Sequence, residues 1–379
     1  MDRPKLPYVK RLPVEIWSEC FNHLGMREYL ALTTTCRLFY DLCHPLLFKT
    51  IHCVSKLEVK KNHTNDDVNQ QLSDLEARMN GFRTISNNPR LASLVKECSL
   101  FYGCKVYVHA DEKAAQAVKD AYTPFVDTFT SSFIKFTNLR HLHVEFRHNL
   151  DRKILVALAS LPRLEDLIFK NVKFGVHKLQ PLIKVQNLTI DNRGPVDSDG
   201  NPSAKKLDLF SVEILRRLNI WSPTYASKVF QSFCDQAQKT TIINLVSLDL
   251  VLREPDVGTF YVFLKYCPKL TQLALSFHKG EDIVLDPLHK AIIPALQEFK
   301  GPDLAARAFV PGRPVWSAYL TSDKARSAKL EENRATIIAL SESAAPITDL
   351  CMPWLSEAPE LSSLISTHLP NLKKVHWRT

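Results

Sequence analysis

The chain has 379 residues, of which 45% are hydrophobic and 23% charged, the proportions of a soluble folded protein; collagenous, coiled-coil and wholly disordered chains are excluded. Its 10 glycines are too far apart to write GxGxxG, GxxxxGK[ST] or GxSxG anywhere, so the dinucleotide fingerprint, the phosphate loop and the nucleophile elbow are excluded as well. The formal charge of +9 is spread over pairs such as Lys10/Arg11, Lys60/Lys61 and Lys373/Lys374 with no polybasic run, so no nucleic-acid partner is expected.

Residues 1–5 lead into no apolar leader, and no segment reaches the roughly 18 uncharged apolar residues of a membrane span, so neither secretion nor a membrane partner is expected. The 9 cysteines are odd in number and form no CxxC. They are expected as reduced thiols inside the cell, in cytoplasm or nucleus, mostly as small core residues.

Residues 12–48 are densely apolar. Ile16, Cys20, Phe21 and Leu24 have helical spacing, Pro13 suits the first turn, and Gly25 is placed to end the helix. A second helix is expected over 27–37 with Leu30 and Cys36 inward, and a short third one carrying Phe39, Leu42 and Cys43 before Pro45. Three helices of this size cannot bury all of these side chains among themselves and are expected to leave an apolar patch for a partner.

The string Leu12-Pro13-x-Glu15-Ile16, then Leu24, Tyr29-Leu30-Ala31-Leu32, Cys36-Arg37 and Pro45-Leu46-Leu47-Phe48, resembles an F-box. The resemblance implies a Skp-type adaptor as partner, with cullin reached through it, and places Leu12, Pro13, Glu15, Ile16, Leu24, Leu30 and Cys36 at the adaptor interface. A helical cap over the following array is the competing reading of the same segment, and it leaves the Leu-Pro-x-Glu-Ile string unexplained.

Residues 48–54 are read as a first strand and 66–86 as a helix presenting Val68, Leu72, Leu75 and Met79. Past residue 90 an apolar-x-x-apolar-x-apolar unit recurs: Val95/Cys98/Leu100, Leu139/Leu142/Val144, Leu164/Leu167/Phe169, Val185/Leu188/Ile190, Leu215/Leu218/Ile220, Leu245/Leu248/Leu250 and Leu270/Leu273/Leu275. Weaker copies start at Leu296, Val315, Ile347 and Leu372, and from Leu139 to Leu296 the intervals are 25, 21, 30, 30, 25 and 26 residues. That period is the signature of leucine-rich repeats, each a short strand followed by a helical or irregular return. The stretches 151–159, 226–236, 257–266 and 328–340 have helical spacing and supply returns. The repeats are degenerate and are similar to the irregular arrays of F-box/leucine-rich-repeat proteins, especially fungal ones. Residues 191–203 read as an exposed loop, and 101–136 as a long insertion of unclear pattern.

The expected fold is an α/β solenoid. A three-helix F-box over 1–48 and a linking strand and helix over 49–90 precede a leucine-rich-repeat array of about ten to twelve strand-helix units over 91–379. Strand residues between the apolar positions are expected on an exposed, concave face. They include His141, His143, Glu145, Asp166, Lys170, Arg217, Trp221, Asp249 and Tyr319 as candidates for binding a target protein. Trp221 beside Arg217 is the expected hot spot, since these residue types dominate protein-binding energetics.

Two other readings remain at this level. One is a repeat scaffold with no link to ubiquitin. The other is a metal-dependent (β/α)8 barrel, because His141-x-His143-x-Glu145 with Asp166 one strand away has ligand-like chemistry. The F-box resemblance, joined to the repeat array, implies the substrate-recognition subunit of a Skp/cullin/F-box ubiquitin ligase, itself without catalytic residues and with neither metal nor cofactor.

Overall fold

A computed structural model of the chain describes residues 12–21, 23–59, 65–106, 112–146, 149–192, 206–240, 243–279, 281, 283–321, 330–352 and 360–376. Most of the 191–203 loop, Lys10/Arg11, Lys60/Lys61 and Lys205 lie outside these residues. The chain divides into two compact units. One comprises 1–101, 105–142 and 161–163; the other comprises 102–104, 143–160 and 164–379.

The first unit opens with three helices, α1 (Val14–Phe21), α2 (Met26–Thr33) and α3 (Arg37–Leu47). The carbonyl of Pro13 accepts the N–H groups of Ile16 and Trp17, which starts α1. Gly25 does not end that helix: it precedes α2 in an extended conformation, and its carbonyl accepts the Tyr29 N–H. Helix α2 is shorter than expected because Thr33, Thr34 and Thr35 fold their hydroxyls back onto the carbonyls of Leu30, Ala31 and Leu32. Helix α3 is longer and runs through Pro45; the proline falls in the last turn, where few intrahelical bonds follow it.

Strand β1 (Thr50–Val59) and helix α4 (Asn65–Asn87) follow; the strand is longer than expected, and the helix buries Val68, Leu75, Met79 and Phe82. The insertion of unclear pattern forms two helices, Glu112–Asp120 and Tyr122–Phe133. The second of them packs on α4 through rings: Phe82 lies 4.4 Å from Phe129 and 6.4 Å from Phe133 between centroids, and Phe136, just past the helix, adds a third ring at 5.2 Å. Beside these rings the hydroxyls of Ser86 and Ser132 meet at 3.0 Å, so both buried polar atoms are satisfied.

The second unit is a parallel sheet with helical returns. The recurrent middle position stacks in register from strand to strand as Leu167, Leu188, Leu218, Leu248, Leu273, Phe299, Ala318, Leu350 and Val375. Along Ser247–Leu252 burial alternates without a break, as a pleated strand with one covered face requires. The returns Ala226–Thr240 and Val257–Leu264 pack on one another through buried aromatic side chains, with the rings of Phe230 and Phe263 stacked at 4.6 Å. Between neighbouring leucine positions the strand Glu298–Pro302 carries Gly301, where a Cβ would fall 2.9 Å from the Phe299 ring and 3.3 Å from the Leu275 carbonyl oxygen.

The strand order in this unit is linear. The last strand, Lys374–His376, pairs with Asp349–Cys351 and not with the first, which overturns the barrel reading. Where one return is irregular, the buried side chain of Arg313 takes over the backbone bonding. It donates to the carbonyls of Leu288 and His289 at 2.9 Å each, of Ile292 at 3.1 Å, of Phe309 at 2.9 Å and of Pro311 at 3.1 Å.

Candidate docking surfaces

The N-terminal helices have a thin interior. Trp17, Phe21 and Phe39 form a ring cluster with centroid distances of 5.0 to 6.0 Å, and the Tyr29 hydroxyl donates to the Phe21 carbonyl at 2.6 Å. Among the described residues of α1 to α3, Phe21 and Cys43 alone are buried. The inward face is therefore Trp17 and Phe21, not Ile16 and Cys20, and Leu30 points outward rather than inward as its spacing had led us to expect.

What remains outside is apolar: Leu12 is 47% exposed, Val14 47%, Ile16 48%, Met26 57%, Leu30 55% and Tyr40 37%. Covering four such half-exposed aliphatic side chains is worth roughly 1 kcal/mol each. Of the expected interface residues, Leu12, Pro13, Glu15, Ile16 and Leu30 are exposed, and Leu24 and Cys36 are half-buried. Sequence reasoning passed over Val14, Met26 and Tyr40. The i, i+4 pair Met26/Leu30 on α2 was the signal available for one of them.

The second candidate surface is the uncovered face of the parallel sheet. Asp166, Lys170, Trp221, Asp249 and Tyr319 are half-buried there and Arg217 is exposed. His141 is exposed on the part of its strand that belongs to the first unit. The ammonium of Lys300 lies 5.4 Å above the Tyr319 ring, a cation–π contact on this face.

Glu145 departs from the expectation of an exposed binder. It is 8% exposed, because Asn171 donates to its Oε1 at 3.0 Å and Lys170 closes over its Oε2 at 3.6 Å. Asn171 has φ 54°, the left-handed region, which lets its short side chain reach back to the carboxylate. His143 is half-buried with no hydrogen-bond partner for Nε2 among the described residues. Burial pulls its pKa below the ordinary value, against the attraction of Glu145 and Asp191 and with the repulsion of Lys170, so the ring is neutral at pH 7. Among the described residues no group of three or more His, Cys, Asp and Glu side chains is placed to hold a metal.

Compared with known families, residues 9–54 match the F-box-like family, and the match ends where β1 is under way. F-box proteins are typically substrate adaptors of Skp/cullin/F-box ligases, and F-box domains generally bind Skp-type proteins. No curated protein matches the chain. No described helix is long and apolar enough to cross a membrane.

Proposed function

We propose that the chain is a substrate-recognition subunit of a Skp/cullin/F-box ubiquitin ligase. The N-terminal helices dock on a Skp-type adaptor, and the parallel sheet, read as a degenerate leucine-rich-repeat array, holds a target protein. The observation that carries this reading is a coincidence of place: the residues matching the F-box-like family are those whose helices leave Leu12, Ile16, Met26 and Leu30 half-exposed. A stable monomer seldom leaves that many neighbouring aliphatic side chains in water, whereas an adaptor-binding surface requires them. In this role the chain acts by position. It raises the effective concentration of a target beside a ubiquitin-loaded enzyme, and the bond-making belongs to other subunits.

The test is co-expression with a Skp-type adaptor followed by size-exclusion chromatography, comparing wild type with Leu12→Ala/Pro13→Ala. Co-elution of wild type and loss of the variant support the reading. A wild-type chain that stays soluble and alone assigns the helices to a cap and the protein to a repeat scaffold.

A further inference from the structure

We draw no further inference here: the strongest candidate, the surface patch at the end of the parallel sheet where Leu372 and Val375 are left half-buried beside the exposed Lys373 and Lys374, is an apolar edge and nothing in the structure shows what covers it.

Discussion

The rings of Trp17 and Phe39 meet edge to face with centroids 5.0 Å apart, and this contact closes the inside of the N-terminal helices. Ile16, one residue before Trp17, is thereby turned outward and stays 48% exposed. Two neighbouring positions in one helix thus have opposite jobs, one in folding and one on the docking surface.

Substitution at the two positions is expected to separate these jobs. Phe39→Ala removes the edge contact and leaves a void, costing about 3 kcal/mol or more in a core this thin. Ile16→Ser changes stability by less than about 0.5 kcal/mol, as surface changes do, yet abolishes adaptor retention. Urea denaturation followed by tryptophan fluorescence, with a pull-down on the same preparations, measures both.

Arg313 serves five backbone carbonyls from a fully buried position, so Arg313→Met leaves several acceptors in the interior without donors. At about 1 to 3 kcal/mol for each unsatisfied group, a loss above roughly 3 kcal/mol is expected. Arg313→Lys recovers only part, because one ammonium cannot reach all five oxygens. Thermal unfolding by circular dichroism decides; a variant as stable as wild type contradicts the assignment of Arg313 as the anchor of this return.

Gly301→Val tests the close approach of neighbouring strands. The added carbons collide with the Phe299 ring and the Leu275 carbonyl oxygen, and a destabilisation of about 1 to 3 kcal/mol is expected. Pairing the change with Phe299→Leu frees the ring side of that space and should restore part of the loss, which a double-mutant cycle reads directly.

Stability is expected to fall in two steps on acidification. Burial holds the pKa values of His143 and His177 below the ordinary histidine value of 6.5, so the folded state favours the neutral rings. Their contribution is complete above about pH 6.5 and is lost as pH falls through their folded-state values. Glu97 and Glu281 behave differently. Burial pushes both up, but hydrogen bonds from Lys49 and Thr50 to Glu97, and from the Glu254 N–H and Arg253 to Glu281, more than offset it and leave both below 4.5. Their contribution is present above about pH 4.5 and is lost below it. Unfolding midpoints measured from pH 8 to 4 should show the first loss, and His143→Gln should reduce it.

Burial raises the thiols of Cys53 and Cys234 to about 11 and pushes those of Cys98 and Cys267 higher still. Native labelling with a maleimide at pH 7.5 is expected to modify exposed Cys20 rapidly and these four only after unfolding, since the thiolate is the reactive form. Peptide mass mapping gives the order.

The sheet was legible because burial repeats. Each L-x-x-L-x-L unit needs its leucines on one side of a pleated strand, and the stacked register from Leu167 to Val375 is that requirement satisfied unit after unit. The returns at Ala226–Thr240 and Val257–Leu264 were legible for the same reason, with the helical period in place of the strand one. Features set by single side chains were not. Nothing in the spacing around Ile16 and Trp17 says which of the two faces Phe39, and nothing around Glu145 announces that Asn171, distant in sequence, will hold its carboxylate in place. Arg313 lies in the string Pro311-Gly312-Arg313-Pro314, which reads as an exposed turn; only the folded chain brings the carbonyls from Leu288 to Ile292 around it.

The most direct measurement is the affinity of the purified chain for an immobilised Skp-type adaptor, with Ile16→Asp/Leu30→Asp beside wild type. A charge at each half-exposed apolar position has to be desolvated on docking. The account therefore predicts tight wild-type binding and a loss of at least about a hundredfold in the variant, with its unfolding curve unchanged. Wild type and variant binding alike, or a wild type that does not bind, would contradict it.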